Sequence, residues 1–321
     1  MLVRRIKMGK VLLVACTNVG RYIIEEILNN EDIKSELAGV VNLNQQQANN
    51  KANYDSYADI AVKYGFPIHY CNNINDPETV DWIKSLAPDI IIQSGWSQKF
   101  KDELLEIPKY ACIGEHPAPL PKGRGAACVN WAVLTGETEW GDTFFQMVSE
   151  YDKGAIYAQE FFKIEEYDTV YTVYEKVAMC AKNAVRKNID NWTSGKFDIA
   201  EQDDSKATHY PRRRPTDGEI KSFDQPAKTI HDFIRAQTFP YPGAYVTTGG
   251  RKLIFISSEI CRGAEKSGEA GTILGTTDRG GILVSCADNI IEILRVKEDA
   301  SPSVWAKDWA EQNNMTGKKF F

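Results

Sequence analysis

The chain has 321 residues, of which 43% are hydrophobic and 26% charged, the composition of a soluble globular protein with room for one large or two ordinary domains. A net charge of −6 gives a nucleic-acid partner no bulk attraction, so any anionic ligand must be met by a local basic patch.

Residues 10–16 form an uninterrupted apolar run, and the lack of alternation predicts a strand covered on both faces. A turn at 17–20 leads into a helix over 21–29, with Ile23, Ile24, Ile27 and Leu28 at helical spacing, and residues 37–43 are the next strand. Such a βαβ start is right-handed and parallel. Its first turn holds one glycine and no Gly-x-Gly-x-x-Gly, which argues against a dinucleotide site. Residues 45–57 are polar and read as a mobile loop. A helix over 59–64, a strand over 68–71, a helix over 77–87 with proline near its start and a buried strand over 89–93 follow. After 94–100 comes a helix ending near Ile107-Pro108, then a strand over 111–116, a helix over 129–134, strands over 142–147 and 155–162, and a long helix over 171–195. Together these describe an open, mostly parallel, Rossmann-like α/β sheet.

The composition then changes. Residues 196–214 are polar and read as a linker ending in Tyr210-Pro211-Arg212-Arg213-Arg214-Pro215. Beyond it lie a helix over 227–236 and short strands over 244–248, 252–258, 271–274, 281–286 and 290–296, the pattern of a small barrel or sandwich. A terminal helix carries Trp305 and Trp309. The expected domains are 1–205 and 206–321. The opening residues 1–7 lack the apolar region of a signal peptide, and no apolar run approaches the ~20 residues that cross a bilayer, so a cytoplasmic protein is expected. The seven cysteines are spread without a Cys-x-x-Cys pair and read as reduced, with Cys16, Cys71 and Cys112 in or beside strands.

Ligands of open α/β sheets bind outside the carboxyl ends of the strands. By the strand reading, residues 96–100 and His116 lie at such ends, and Asp152, in the acidic turn Glu150-Tyr151-Asp152-Lys153-Gly154, is able to reach them. A carboxylate beside an imidazole fixes its tautomer and raises its basicity, so the two together suit proton transfer. Taken singly, His116 reads equally as a satisfied structural histidine and Asp152 as a turn residue. Lys122 and Arg124 precede a helix start and form either a local anion site or a solvated loop. The four histidines are scattered, so no metal site is expected.

Three segments, Gly114-Glu115-His116-Pro117-Ala118-Pro119-Leu120-Pro121-Lys122-Gly123-Arg124-Gly125, Trp131–Thr138 (Trp-Ala-Val-Leu-Thr-Gly-Glu-Thr) and Asp152-Lys153-Gly154-Ala155-Ile156, resemble the core of the formyltetrahydrofolate-dependent formyltransferases. That family's pattern is Asn-x-His, Leu-Pro-x-x-Arg-Gly and Asp-x-Gly-x-Ile. Arg212-Arg213-Arg214-Pro215, Ile234-Arg235-Ala236 and Pro240-Tyr241-Pro242-Gly243-Ala244 are similar to the C-terminal region of its methionyl-tRNA and sugar-nucleotide N-formyltransferases. The resemblance implies a formyltransferase fold with a C-terminal, β-rich, OB-like domain. It also implies N10-formyltetrahydrofolate as co-substrate and no metal. His116 and Asp152 match two of the family's three catalytic residues. The third, asparagine, is replaced by Gly114, which removes one oxyanion donor at a typical cost of about 10²–10³ in rate. Either a backbone N–H or an ordered water beside Gly114 replaces the amide, or the reaction is no longer catalysed. Trp96, Gln98, Phe100 and Tyr151 are the implied folate contacts, and Lys122, Arg124 and Arg213 the implied acceptor contacts.

The expected reaction is formyl transfer to a primary amine, that of a small nucleotide-linked sugar, with self-association left open. Methionyl-tRNA formyltransferase is the enzyme alternative; the acidic net charge and the lack of a basic stripe argue against nucleic acid. A non-catalytic folate- or sugar-binding homologue is the alternative that Gly114 motivates.

Overall fold

The computed structural model describes residues 9–49, 51–248, 250–264 and 266–321. The segment 1–7, read above as lacking a signal peptide, lies outside them. By contact the chain divides into two compact units. The first comprises 1–128, 139–163 and 174–211; the second comprises 129–138, 164–173 and 212–321.

Through the first unit the elements run β1 (Val11–Ala15), α1 (Asn18–Asn29), β2 (Leu37–Leu43), α2 (Gln45–Ala48), α3 (Ala58–Tyr64), β3 (Ile68–Cys71), α4 (Pro77–Leu86), β4 (Ile90–Ser94) and α5 (Asp102–Leu105). They continue with β5 (Ala111–His116), β6 (Arg124–Gly125), β7 (Glu139–Gln146), β8 (Ile156–Lys163) and β9 (His209–Tyr210), while α6 (Cys128–Leu134), after its first residue, and the first turn of α7 (Val170–Thr193) belong to the second unit. The central sheet has seven strands in the order β3-β2-β1-β4-β5-β7-β8. Strands β3 to β5 pair in parallel, while β7 and β8 extend the sheet antiparallel. The reversal of strand order lies between β1 and β4. There β1, apolar throughout, lies beside β4, whose three isoleucines precede Gln93 and Ser94, and every residue of both is buried, as strands covered on both faces require. One face carries a core that includes Leu12, Val14, Ile91, Trp96, Phe100 and Cys112. All seven cysteines are free, and Cys261 is half-buried while the others are buried.

Two segments differ from the sequence reading. Residues 45–49 and 51–57 are tied to the sheet and to α1 at both ends: Asn44 caps α2 by accepting from the Gln47 N–H at 3.1 Å, Asn42 Nδ2 donates to the Asp55 carbonyl at 2.8 Å, and Arg21 Nε donates to Asp55 Oδ2 at 2.5 Å. Their polarity serves internal hydrogen bonds. Residues 196–211 likewise do more than link. Strand β9 pairs in parallel with β6, so this stretch runs along the back of the loop that follows β5.

The second unit contains α8 (Ala227–Gln237), β10 (Ala244–Thr248), β11 (Arg251–Ile260), β12 (Ile273–Thr276), β13 (Ile282–Ser285), β14 (Ile290–Glu298), β15 (Val304–Trp305) and α9 (Ala306–Gln312). Its strands form one antiparallel sheet in the order β10-β11-β14-β13-β12, with β15 on β14. The sheet closes over Phe223, Ile230, Ile234, Phe255, Trp309 and Phe320. The chain is thus a mixed α/β protein with a mostly parallel sheet and a separate antiparallel, β-rich C-terminal sheet. Among the described residues, no helix is long and apolar enough to cross a membrane.

Candidate active site

Strand β5 ends on His116, and its alternation puts Gly114 and His116 on one face and Glu115 on the other. After the strand the chain folds back on itself. The Ala118 N–H donates to the His116 carbonyl at 2.7 Å, Trp140 Nε1 donates to the Pro117 carbonyl at 2.8 Å, and the Cys128 thiol donates to that same carbonyl at 3.4 Å. Thr143 Oγ1 donates to the Ala118 carbonyl at 2.6 Å. These bonds hold the loop against β7 and bring the Gly123 carbonyl to His116 Nε2 at 2.8 Å.

The turn 150–154 supplies the other partner. Asp152 Oδ1 is 3.8 Å from His116 Nδ1, beyond direct hydrogen-bond reach but well within ion-pair range. Its second oxygen, Oδ2, accepts the Gly125 N–H at 2.8 Å. Asp152 has φ +57°, in the left-handed region that non-glycine residues seldom occupy. A side chain on Gly154 would collide with the Gln146 carbonyl, so the turn needs glycine there.

His116 is 7% exposed. Burial by itself would lower its pKa; the Cys128 sulfur, the Asp152 carboxylate and the Gly123 carbonyl outweigh burial and push it up to about 10. The geometry explains the sign. The Cys128 sulfur and the Asp152 carboxylate, the latter 3.8 Å from Nδ1, favour a charged ring, and the Gly123 carbonyl accepts at Nε2. These partners favour the imidazolium over the neutral ring.

The structure brings His116, Asp152 and Gly114 together, but several other sequence expectations change. The Phe145 ring covers the Gly114 Cα, where the family's asparagine would stand: a Cβ there would lie 2.7 Å from Phe145 Cε1 and Cζ. Arg124, expected to meet acceptor phosphates, is 2% exposed and committed to protein acceptors. Its Nε and Nη2 donate to Gln202 Oε1 at 3.1 and 2.7 Å, and Nη2 also pairs with Asp204 at 2.7 Å. Lys122 places its Nζ 5.5 Å above the Trp140 ring.

Trp96 and Phe100, expected to flank the folate, lie in the interior. Those rings are 8% and 2% exposed and belong to the apolar core, although Trp96 Nε1 is buried with no hydrogen-bond partner. Gln98 spends its amide on the chain itself, donating to the Asn72 carbonyl at 2.7 Å and accepting the Ile74 N–H at 2.8 Å. Tyr151, next to Asp152, is 63% exposed, with Lys99 Nζ 5.7 Å from its ring. Arg213 lies in the second unit, where Nη2 donates to the Asp217 carbonyl at 2.8 Å and the guanidinium stacks 5.0 Å from the Trp131 ring. Of the four implied folate contacts, Tyr151 alone presents an exposed ring beside the site.

Four contributors escaped the sequence reading. Gln202 sits in a polar stretch with no periodicity, so nothing local marks it. Cys128 reads as one more buried cysteine. The partnership of Phe145 with Gly114 is a matter of register between β5 and β7. On the opposite face, Ser94 Oγ donates to Glu115 Oε2 at 2.7 Å while neither Asp142 oxygen has a hydrogen-bond partner. Burial first, and then neighbouring Glu115, push the Asp142 pKa well above the usual carboxylate range. Among the described residues, no group of three or more His, Cys, Asp or Glu is placed to hold a metal.

Residues 11–189 match the family model described as formyl transferase, and residues 213–314 match that of the formyl transferase C-terminal domain. Solved structures give the same fold. HypX from Aquifex aeolicus in complex with tetrahydrofolic acid is 17% identical over 98% of this chain, with a TM-score of 0.66. This chain spans only 49% of the length of HypX. WlaRD, a sugar 3N-formyl transferase in the presence of dTDP and 5-N-formyl-THF, is 18% identical over 92% of this chain and 99% of its own, with a TM-score of 0.68. The N-formyltransferase from Helicobacter canadensis, in complex with folinic acid and dTDP-3-aminofucose, is 19% identical over 89% of this chain and 99% of its own, with a TM-score of 0.69.

Proposed function

The chain belongs to the formyl transferase family, and we propose that within it this protein moves a formyl group from N10-formyltetrahydrofolate to the primary amine of a small nucleotide-linked sugar. One observation carries the reading: His116 is held between the Gly123 carbonyl and the Asp152 carboxylate at the end of β5, and with Cys128 these partners favour its charged form. The sugar N-formyltransferases that share this fold over nearly their full length support the choice of acceptor.

In this reading the His116 imidazolium donates from Nδ1 to the formyl oxygen as the amine attacks and negative charge develops there. Such a donor, fixed in a water-poor site, costs no reorganisation at the moment of reaction. A full positive charge then supplies what the asparagine amide supplies elsewhere in the family, since charge-assisted hydrogen bonds are roughly twice as strong as neutral ones. Asp152 keeps the ring oriented, takes the proton that the attacking amine sheds and passes it to N10 of the folate as the bond from the formyl carbon to N10 breaks and tetrahydrofolate leaves. Tyr151, exposed beside Asp152, is the aromatic face offered to the incoming co-substrate.

The test is turnover of N10-formyltetrahydrofolate with a panel of nucleotide-linked amino sugars, read by mass gain of the sugar. Formylated product with at least one member is expected; binding of a folate analogue with no product from any of them would overturn the assignment. The second reading, a binding protein without turnover, is favoured by the Phe145 ring that fills the place of the family's asparagine, and that same negative result would establish it.

A further inference from the structure

Residues 202–210 are the mould in which the His116 partners are cast. Gln202 Nε2 donates to the carbonyls of Asp152 and Gly154, each at 2.8 Å. Its Oε1 accepts both Nε and Nη2 of buried Arg124. The next residue, Gly125, donates its N–H to Asp152 Oδ2 at 2.8 Å. A closed ring therefore runs from the Asp152 carbonyl through Gln202, Arg124 and Gly125 back to the Asp152 carboxylate.

The same stretch sets the other partner. The Gly123 N–H donates to Thr208 Oγ1 at 2.8 Å, the Arg124 N–H to the Thr208 carbonyl at 2.9 Å, and the Ala126 N–H to the Tyr210 carbonyl at 3.0 Å. Gly123 is the residue whose carbonyl receives His116 Nε2. Asp152 needs this support, because a non-glycine residue in the left-handed region persists only where its surroundings over-determine it.

We propose that Gln202 is a positioning residue for the His116–Asp152 pair, fixing through Arg124 and the two turn carbonyls the distance at which the carboxylate faces the imidazole. The proposal rests on the transferase reading for its kinetic consequence alone. The ionisable groups that face His116 are Asp152 from the turn and Cys128 from the start of α6; β7 offers Thr143 and Phe145, and the 121–126 loop offers the Gly123 carbonyl.

The experiment is Gln202→Met, which keeps the volume and charge and removes all four hydrogen bonds, with His116 titrated by NMR in both proteins. The His116 midpoint should fall by about one unit or more as Asp152 drifts away. In turnover kcat should fall about 10²-fold with KM little changed, the mark of misplacement and not of lost binding. An unchanged His116 midpoint in the folded variant overturns the proposal, whatever the activity. Should Gln202→Met not fold, Gln202→Asn keeps a neutral amide but is one methylene too short to span Arg124 and the two turn carbonyls, and it is read by the same titration. Wild-type protein that turns over no amine defeats the proposed function; the titration still decides the role of Gln202.

Discussion

Phe145 stands opposite Gly114 in the β5–β7 ladder, and its ring takes the volume that any side chain at 114 would need. A Cβ at 114 would also come within 3.1 Å of Met147 Cγ. The absence of asparagine is therefore matched by its neighbours: the strand across the sheet has filled the gap, so putting the amide back is an overpacking substitution. Gly114→Asn should destabilise by about 1–3 kcal/mol and should not raise turnover. Gly114→Asn combined with Phe145→Ala should cost less than the two changes summed, because the second opens the space that the first requires. Denaturant unfolding of the three variants checks this, and a Gly114→Asn protein as stable as wild type would show that the ring yields freely.

His116 and Asp152 should act as a unit. His116→Ala and Asp152→Ala should each remove most turnover, and the double variant should be little worse than the poorer single. The pH dependence follows from the raised His116 pKa. Its folded value of about 10 lies above the unfolded value of about 6.5, so its contribution to stability is complete below the unfolded value and is lost as pH rises through the folded one. Turnover that depends on the imidazolium should hold through neutral pH and fall near 10. Asp152→Asn should shift that alkaline limb to lower pH; a limb that stays put would remove Asp152 from the account.

Much of this was legible in the chain and some of it was not, for physical reasons. Strand β1 is apolar without interruption and β4 opens on three isoleucines, as strands covered on both faces do, so the centre of the sheet could be read directly. His116 and Asp152 were legible through their flanking motifs. Arg124 was legible as a residue but not in its role. Whether a guanidinium serves a ligand or the protein depends on where its acceptors are, and they stand at Gln202 and Asp204 in a stretch without periodicity. Trp96 posed a similar problem. An aromatic just past a strand can turn into solvent or into the core, and nothing in the local sequence decides between them.

Trp96 now yields a different expectation. Because its ring is packed with Leu12, Val14 and Phe100, Trp96→Ala should cost about 3–5 kcal/mol of stability, the usual price of truncating a buried large aromatic. Calorimetry with a folate analogue should show nearly unchanged affinity for whatever fraction remains folded. A stable Trp96→Ala protein that binds the analogue many-fold more weakly would return Trp96 to the ligand. Tyr151→Ala is the complementary change. Its ring is exposed, so stability should stay within about 0.5 kcal/mol while folate affinity falls.

Asp142 gives the last expectation, on the face of the sheet away from His116. Its carboxyl is buried beside Glu115 with neither oxygen hydrogen-bonded, and burial followed by that neighbour holds its pKa well above the usual range. The folded form thus prefers the proton that the unfolded chain gives up near pH ~3.9. Stability from this group is complete below that value and is lost as pH rises toward the folded pKa, at about 1.4 kcal/mol per pH unit. Asp142→Asn keeps the shape and never ionises, so it should be more stable than wild type at about pH 7, with the gain shrinking as pH falls toward about 4. Urea unfolding of both proteins across that range is the measurement. An asparagine variant no more stable than wild type at neutral pH would mean that the carboxylate is satisfied as it stands, and that Asp142 and Glu115 carry no shared cost.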